Sequence, residues 1–560
     1  METPDAHARP SESADVLVIG GGTVGLSAAL FLAGHGARVT VAERRAGMSA
    51  HPRAAGVNPR GMELFRSAGV EDAIRAATPQ RTPGAGVVTV PVLLGADLRA
   101  APRTAVVPPA ADGSAGLTPV EGATASQDRL DPVIHAAAVR HGADIRFGVE
   151  AAVTAQDDDG VTAEVTDRAT GERRTVRARY AIAADGARSR VRTALGIAMD
   201  GPGELGGAMI SVLFRARLPG IDGDPGFAMC VVDHPEAPGI LIPVDGDRWL
   251  FHIGFDPADG TTPDDYPADR CRAHIRTAIG VPDLDLAIDG ILPWQSTAHT
   301  AERFRAGRVL LMGDAAHVVP PVGGFGLNTG IADAYDLGWK LPLVLSGRAG
   351  DALLDSYDTE RRAAARFTME QSLIRGTHRE LHWDIRPERA ADRARAGMAS
   401  LAVMLFGQRY ASGAVIGAPG DRPMEDPRLD GAPGSRLPHL WTTRGDGTRV
   451  STLDLVASGW TLLTGADGDA WRDAARHAAE LTGVPIGVHR IGADVRDPDG
   501  AWPRTTGLAS DGALLVRPDA YVAWRAESAP GDPAGALDDA MRRLLGTREL
   551  VNGLDVRMDR

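Results

Sequence analysis

The sequence has one lysine, Lys340, among 60 basic side chains, so chemistry that needs a free lysine amine has a single candidate. The other cations are arginines, a bias we attribute to a GC-rich genome rather than to function. Cysteine is nearly as scarce. Cys230 and Cys271 stand 41 positions apart, which excludes a disulfide scaffold, an iron–sulfur site and any CxxC redox or zinc motif. Two cysteines fit a reducing cytoplasm. Long apolar runs are missing, so no membrane span is expected. The polar opening, residues 1–13, reads as a loose tail rather than a signal peptide. A basic excess is absent too. Acidic side chains number 73 and the net charge is -13, the opposite of a nucleic-acid footprint. No group of residues has metal-ligand spacing.

What is present is an ordinary soluble composition, 44% apolar and 24% charged. At about 150 residues per domain, the length suggests two to four domains with cores that need no covalent staples. A β-branched run at 15–19 breaks at Gly20-Gly21-Gly22. A helical pattern over 24–33 and a strand at 38–42 complete a strand–turn–helix–strand unit of the parallel-sheet type. Helical signals continue over 60–77 and return at 128–141. Runs at 151–155, 162–166 and 173–178 predict antiparallel strands, and 180–184 predicts a buried strand ending at Asp185-Gly186.

From about 205 to 295 the pattern changes. Strand-like runs at 209–218, 227–232, 239–243, 248–255 and 286–293, with one amphipathic helix at 265–278, predict a mostly antiparallel sheet in a separate layer. Residues 308–312 predict another buried strand. A Pro/Gly loop at 319–326, a helix through Leu345 and a long helix over 351–380 follow. The stretch 413–438, rich in Gly, Pro and Asp, reads as a linker and domain boundary. Beyond it, segments at 460–463, 469–481, 486–491, 512–525 and 535–545 form a small α/β module.

Three loops could hold one cofactor. Gly20-Gly21-Gly22-Thr23-Val24-Gly25 fits GxGxxG between a strand and a helix. Gly20 allows the tight turn, Gly22 lets backbone approach a pyrophosphate, and Gly25 lets helix and strand pack closely. Glu43, at the end of the next strand, can accept both ribose hydroxyl protons, which points to FAD or NAD rather than NADP. Its neighbour Arg44 could stack on adenine or be surface charge. The second loop is Ala184-Asp185-Gly186-Ala187-Arg188-Ser189, which turn and helix-cap chemistry also explains. In the third, a strand delivers Asp314 to its carboxyl end, where it could bond a ribityl or ribose hydroxyl. Pro320, Pro321 and a glycine-rich stretch lead to a helix start near Asn328. Backbone N–H groups of Gly326, Leu327 and Asn328 could cradle an anionic ring edge, aided by the helix dipole. His317 reads as a loop or core histidine. In the strand at 248–255, Trp249, Phe251 and Ile253 predict a core face, leaving Arg248, Leu250 and His252 on the other. No general-base constellation stands out. Arg53, His252 and Pro321 are the catalytic candidates.

In this order and at these intervals, GGGTVG, ADGARS and GDAAHVVPPVGGFGLNTGIADAYDLGWKL resemble motifs of the FAD-dependent aromatic hydroxylases, the class A flavoprotein monooxygenases. HPRAAGVNPRGMELFRSAGV and SQDRLDPVI resemble further family segments. The resemblance covers roughly 14–400 and implies that Arg53 and Gln127 lie along the flavin. Near the end, GALLVRPDAYVAWRA resembles the thioredoxin-like domain of members that hydroxylate polycyclic aromatic polyketides. With no cysteine there, redox activity is excluded, and the module reads as structural or as a dimer contact.

The resemblance implies an α/β architecture. A Rossmann-like FAD-binding domain, similar to that of p-hydroxybenzoate hydroxylase, would comprise 14–80, 125–200 and 300–400. An inserted antiparallel-sheet substrate domain would comprise 81–124 and 201–299, and a thioredoxin-like domain 425–560. It also implies that NADPH or NADH reduces FAD and that O₂ adds as a flavin C4a-hydroperoxide. The outer oxygen then passes to an aromatic, polyketide-type small molecule. Baeyer–Villiger oxygenation, a halogenase and a reductase are the alternatives on this fold. A halogenase relays through a lysine, and Lys340, in the helix after the flavin loop, leaves none for that task. A cytoplasmic monomer or homodimer is expected, with no nucleic-acid or membrane partner.

Overall fold

A computed structural model describes residues 12–547 except 55, 79–85, 99–100, 102, 105–114, 219, 222–224, 385 and 457–458. Residues 1–11 of the predicted tail and much of the weakly patterned 80–125 region therefore lie outside the described residues. Glu12 and Ser13 belong instead to the first strand, Glu12–Ile19.

Val16, Leu17, Val18 and Ile19 are all buried, as a central parallel strand covered on both faces requires. That strand pairs in parallel with Val39–Glu43 on one side and Arg173–Ala183 on the other. Val309–Leu311 adds in parallel beyond the latter and Asp144–Phe147 beyond the former. The register matters for function. Leu311 pairs with Ala183, Ala183 with Ile19, and Ile19 with Ala42. Four parallel strands thus end in one row, and the predicted loops leave from three neighbouring ends. Open α/β sheets bind ligands at such an edge. The helix Thr23–Gly34 is apolar all round, because Gln127–Arg140 and Gly326–Leu345 both pack on it.

The helix predicted over 60–77 is two helices, Pro59–Ser67 and Glu71–Ala77. The break falls at Gly69, whose φ of +71° is left-handed. The long helix predicted from 351 starts as a short 3-10 turn, Asp351–Leu354, and runs as Asp355–Thr377.

The second sheet is mostly antiparallel, as expected, with Gly86–Val90 added in parallel to Phe227–Val232. Its two longest strands, Met199–Arg215 and Ala287–Ala301, extend well past the predicted runs. They return toward the first sheet, where His317–Val318 pairs with the second of them. One face packs Ile210, Val212, Phe214, Trp249, Phe251 and Ile253 against Cys271, Ile275 and Ile279 of the helix Ala268–Ile279. Each such side chain contributes about 1.5–3 kcal/mol of burial. The other face carries Ser211, Leu213, Leu250 and His252 toward the first sheet's loops.

In the C-terminal module Trp460–Thr464 pairs in parallel with Ile486–Arg490 and antiparallel with Ala513–Val516, which pairs with Val522–Ala526. Helices Ala470–Thr482 and Pro533–Leu544 pack together beside it, the arrangement expected of a thioredoxin-like unit.

The stretch 413–438 is not a loose linker. Ala414, Met424, Leu429, Ser435, Arg436 and Leu437 are buried. Arg436 reaches across to Glu63 of the helix Pro59–Ser67, with Nε to Oε2 at 3.0 Å. Its composition is that of turns, yet buried charge fastens it. Nearby, Arg517 enters the first domain and meets Glu360 at 2.7 Å, while Lys340 lies 2.9 Å from Glu360 and 2.8 Å from Asp336. Burial would raise the Glu360 carboxyl, but Arg517 and Lys340 outweigh it and hold the group below the usual range. Among the described residues no helix is long and apolar enough to cross a membrane.

Candidate active site

The first turn is built by exclusion. Gly20 has φ +109°, and a Cβ there would lie 2.3 Å from the Ala184 carbonyl oxygen. A Cβ on Gly25 would lie 1.9 Å from the Gly20 carbonyl oxygen. Gly22 differs: its backbone is extended, and a Cβ would meet nothing within 4 Å. The protein's own packing demands the outer glycines, whereas the middle one borders open space. Glu43 is buried and anchored. Its Oε2 accepts the Gly21 N–H at 2.7 Å and its Oε1 the Arg45 N–H at 2.8 Å. Each oxygen keeps acceptor capacity for a ligand hydroxyl. Arg44 is exposed beside it.

In the second turn Gly186 has φ +85°. Asp185 Oδ2 accepts the Arg190 and Val191 N–H groups at 2.8 and 3.3 Å. Ser189 caps the same short helix through the Arg192 N–H at 3.0 Å. Cap chemistry therefore accounts for one oxygen of Asp185. The other, Oδ1, is buried without a hydrogen-bond partner, a cost of about 1–3 kcal/mol unless a ligand supplies the donor.

The third turn is pinned from behind. Asp333, fully buried, accepts the Gly313 N–H at 3.1 Å, lies 2.6 Å from His317 Nε2, and takes Arg361 Nε at 2.8 Å. His317 is therefore a core residue of this network. Asp314 itself is exposed. Crowding by the surrounding walls raises its carboxyl, with His317 and Arg53 opposing. Arg53 is likewise exposed. Lost solvation and Arg45 lower its pKa, while Asp314, Asp131 and Glu43 act the other way. Arg53 thus feels Glu43 of the first unit and Asp314 of the third together.

Several predicted contacts take a different form. The helix after the third loop starts at Gly326, not Asn328, and has no side-chain cap, so its first N–H groups stay free for a ligand. The Asn328 side chain knits loops together, accepting the Asn58 N–H at 2.9 Å and donating to Gly324 O at 3.1 Å. Gly326 and Leu327 are half-buried and Pro321 is exposed. Gln127 is buried, its Nε2 3.4 Å from Asp131 Oδ2 and its N–H donating to Ala54 O. It supports the segment that carries Arg53. Asp131 was not singled out by sequence. Thr23 Oγ1 donates to it at 2.5 Å, and burial pushes its carboxyl up to about 6. Nor were Asp333, Arg361 and His51, because their partners are remote in sequence.

The sheet face bearing His252 roofs this region. His51, two residues before Arg53, reaches it with Nε2 2.9 Å from Ser211 Oγ. Arg248, on the same face, binds Asp128 at 2.8 Å. His252 pairs in register with Ser211, is half-buried, and has no partner at Nδ1. Burial, with His51 nearby, lowers its pKa to about 4. The imidazole stays neutral through pH 5 in the folded chain, whereas an unfolded chain protonates near 6.5. Its contribution to stability is complete above 6.5 and is lost as pH falls toward 4. Histidine-labelled NMR should show the rings of His252, His382 and His439 titrating near pH 4, and the signal assigned to His252 should be the one lost in His252→Phe. A midpoint near 6.5 would refute this environment.

A turn open at Gly22, an unpartnered Asp185 Oδ1 and the exposed side chains of Arg53 and Asp314, all beside one row of strand ends, fit an extended dinucleotide. The fold and this edge define an FAD-dependent enzyme. Residues 13–372 match the family described as FAD binding domain, and 430–547 match the aromatic-ring hydroxylase C-terminal family; the chain belongs to this FAD-binding family.

Its relatives narrow the class. It is 41% identical over 556 residues to a tetracenomycin A2 monooxygenase-dioxygenase of Streptomyces glaucescens, across 96% of this chain and 97% of that one. It is 40% identical over 543 residues to an aklavinone 12-hydroxylase of Streptomyces purpurascens, across 95% and 98%. The solved ternary complex of aklavinone-11 hydroxylase with FAD and aklavinone aligns with a TM-score of 0.84 at 38% identity, covering 96% of this chain and 100% of that one. The chain is a flavoprotein monooxygenase with FAD as cofactor and NAD(P)H and O₂ as co-substrates. The expected α/β architecture holds. The halogenase alternative is not favoured, and Lys340 is fully buried between Asp336 and Glu360.

Proposed function

We propose that this enzyme hydroxylates a polycyclic aromatic polyketide in the space between the row of strand ends and the His252 face of the second sheet. The observation that carries this reading is the register bringing three loops to one edge, beneath a sheet face with half-exposed apolar side chains. The names of the relatives support the substrate class.

In this reading the turn Gly20–Gly25 holds the pyrophosphate at a helix N-terminus, and Glu43 holds the ribose. Arg44 flanks the adenine. Asp185 with Gly186 and Asp314 bind the linking hydroxyls. Arg53, Gln127 and Pro321 border the ring. The N–H groups of Gly326, Leu327 and Asn328 stabilise negative charge at its edge. The chemistry supplied by bound FAD is activation of O₂ for transfer of one oxygen atom to the substrate ring. The chain's own work is to hold ring and substrate together and to exclude water, so that reducing equivalents do not drain to H₂O₂. The domain division is 14–80, 125–200 and 300–400 for FAD, 81–124 and 201–299 for substrate, and 425–560 for the thioredoxin-like module. We place the enzyme in the cytoplasm as a monomer or homodimer.

The test follows NADPH or NADH oxidation with polycyclic phenols under ¹⁸O₂, reading products by mass spectrometry. One ¹⁸O per product, dependent on substrate and reduced nicotinamide, is expected. Bound FAD with rapid nicotinamide oxidation, H₂O₂ alone and no labelled product across the phenol set would refute it.

A further inference from the structure

We propose that His252, backed by the His51–Ser211 pair, is the polar anchor that selects substrates bearing a hydroxyl or carbonyl oxygen on the edge of a flat ring system. This deepens the proposed function and rests on it.

The argument starts from what the roof face offers. Register places Ile240, His252, Ser211 and Leu292 in one row across four strands. Trp294 lies two positions beyond Leu292 and so shares its face. Ile240, Leu292 and Trp294 are half-exposed, whereas the opposite face of the same strands is buried core. The sheet therefore has a second apolar surface left open toward the cofactor edge. Ligand sites take this form: mostly apolar walls with a few fixed polar groups.

The fixed polar groups here are few. Ser211 Oγ is engaged with His51 Nε2 at 2.9 Å. His252 stands next to that pair on the neighbouring strand, and its ring meets Trp294 edge-on, with centroids 6.1 Å apart and planes at 82°. That contact packs the imidazole, and Nδ1 is shielded and without a hydrogen-bond partner, so it meets a ligand oxygen once the ring turns toward the open face. A buried nitrogen left unpaired is costly, and a ligand atom that completes it is favoured. A neutral imidazole serves either way. Unprotonated, Nδ1 accepts from a phenol; in the other tautomer it donates to a carbonyl.

The local charges decide between anchoring and proton removal. Burial and Arg53 lower the pKa of His51 as well, with Asp128 opposing. An imidazole that protonates only near pH 4 is a poor acceptor for a phenol proton, whose pKa is about 10. His252 therefore orients the ring and does not ionise it. Selection follows from the penalty to a substrate that leaves Nδ1 unpaired, because sites built to hydrogen-bond a group reject analogues that lack it.

The experiment uses holoenzyme and two tricyclic probes, 1,8-dihydroxyanthraquinone and anthracene, with Kd read from the flavin difference spectrum. The wild type should bind the oxygenated probe at least about 10-fold more tightly. In His252→Phe the ratio should fall to near 1 at unchanged FAD content, and His252→Gln should restore part of it. A ratio unchanged in His252→Phe, or no discrimination by the wild type, overturns the proposal. Should His252→Phe fail to fold, the wild type alone decides. The His252 Nδ1 signal, assigned through His252→Gln, must move with the oxygenated probe and not with anthracene; equal response to both refutes the anchor. The ¹⁸O₂ measurement on the wild type is independent. Labelled product with an unaltered binding ratio would sink the anchor and leave the hydroxylase standing.

Discussion

A Gly25→Val chain is expected to purify colourless, with FAD affinity reduced at least about 100-fold. The reason is geometric. The first carbon of any side chain at 25 would sit 1.9 Å from the Gly20 carbonyl oxygen and 3.0 Å from its carbon. Both belong to backbone in a tight turn and cannot swing aside. The helix Thr23–Gly34 must back away from the strand by more than an ångström, and its N-terminal dipole leaves the pyrophosphate position. Misplacements of that size cost on the order of 10²-fold where several groups must act together. Overpacking adds about 1–3 kcal/mol of instability. Absorbance at the flavin band and calorimetric titration with FAD measure the effect. Stoichiometric FAD in the variant would mean that the first turn does not hold the cofactor.

Arg517→Met is expected to destabilise the protein by about 3–5 kcal/mol, the cost of breaking a buried ion pair from one side. Arg517 has no exposed surface. It meets Glu360 at 2.7 Å, lies 3.4 Å from Asp336, also pairs with Asp519, and sits over the Trp339 ring at 5.1 Å. Without it Asp336 and Glu360 share Lys340, and Asp519 loses its guanidinium partner. Because Arg517 comes from the C-terminal module and Glu360 from the helix Asp355–Thr377, the loss loosens that module from the flavin-binding domain. Thermal unfolding should shift down by about 3–4 °C, because the unfolding entropy is shared over a long chain. Adding Glu360→Gln should recover part of the loss by removing one uncompensated charge. An unchanged midpoint in the single variant would mean that the network is screened and that apolar packing holds the module.

These two sites also show what a linear sequence discloses. Gly20, Gly22 and Gly25 were legible because the demand they meet is local: a strand, a turn and a helix within a few positions. Asp185 and Asp314 were legible for the same reason, each closing a short apolar strand. The row formed by those strand ends needed the register, which periodicity does not carry. The expected run at 209–218 begins ten residues inside Met199–Arg215 because the strand's first half, rich in glycine, has no β pattern and is held by its partner strand. The stretch 413–438 misled because glycine and proline signal turns whether a segment is loose or docked. What docks it is Arg436 on Glu63, 373 positions away. His51 and Ser211 are 160 apart, and nothing near either one announces the other. The break at Gly69 was missed because an isolated glycine inside a helical pattern is often tolerated.

The central claim is that a dinucleotide lies against the first turn, and Gly22→Ala tests it most directly. Alanine there is compatible with the extended backbone and meets no protein atom within 4 Å, so the fold has no reason to object. The account predicts an unchanged unfolding midpoint together with FAD affinity lowered at least about tenfold in calorimetric titration, because the added methyl occupies ligand space. Wild-type affinity for FAD in the alanine variant would contradict it.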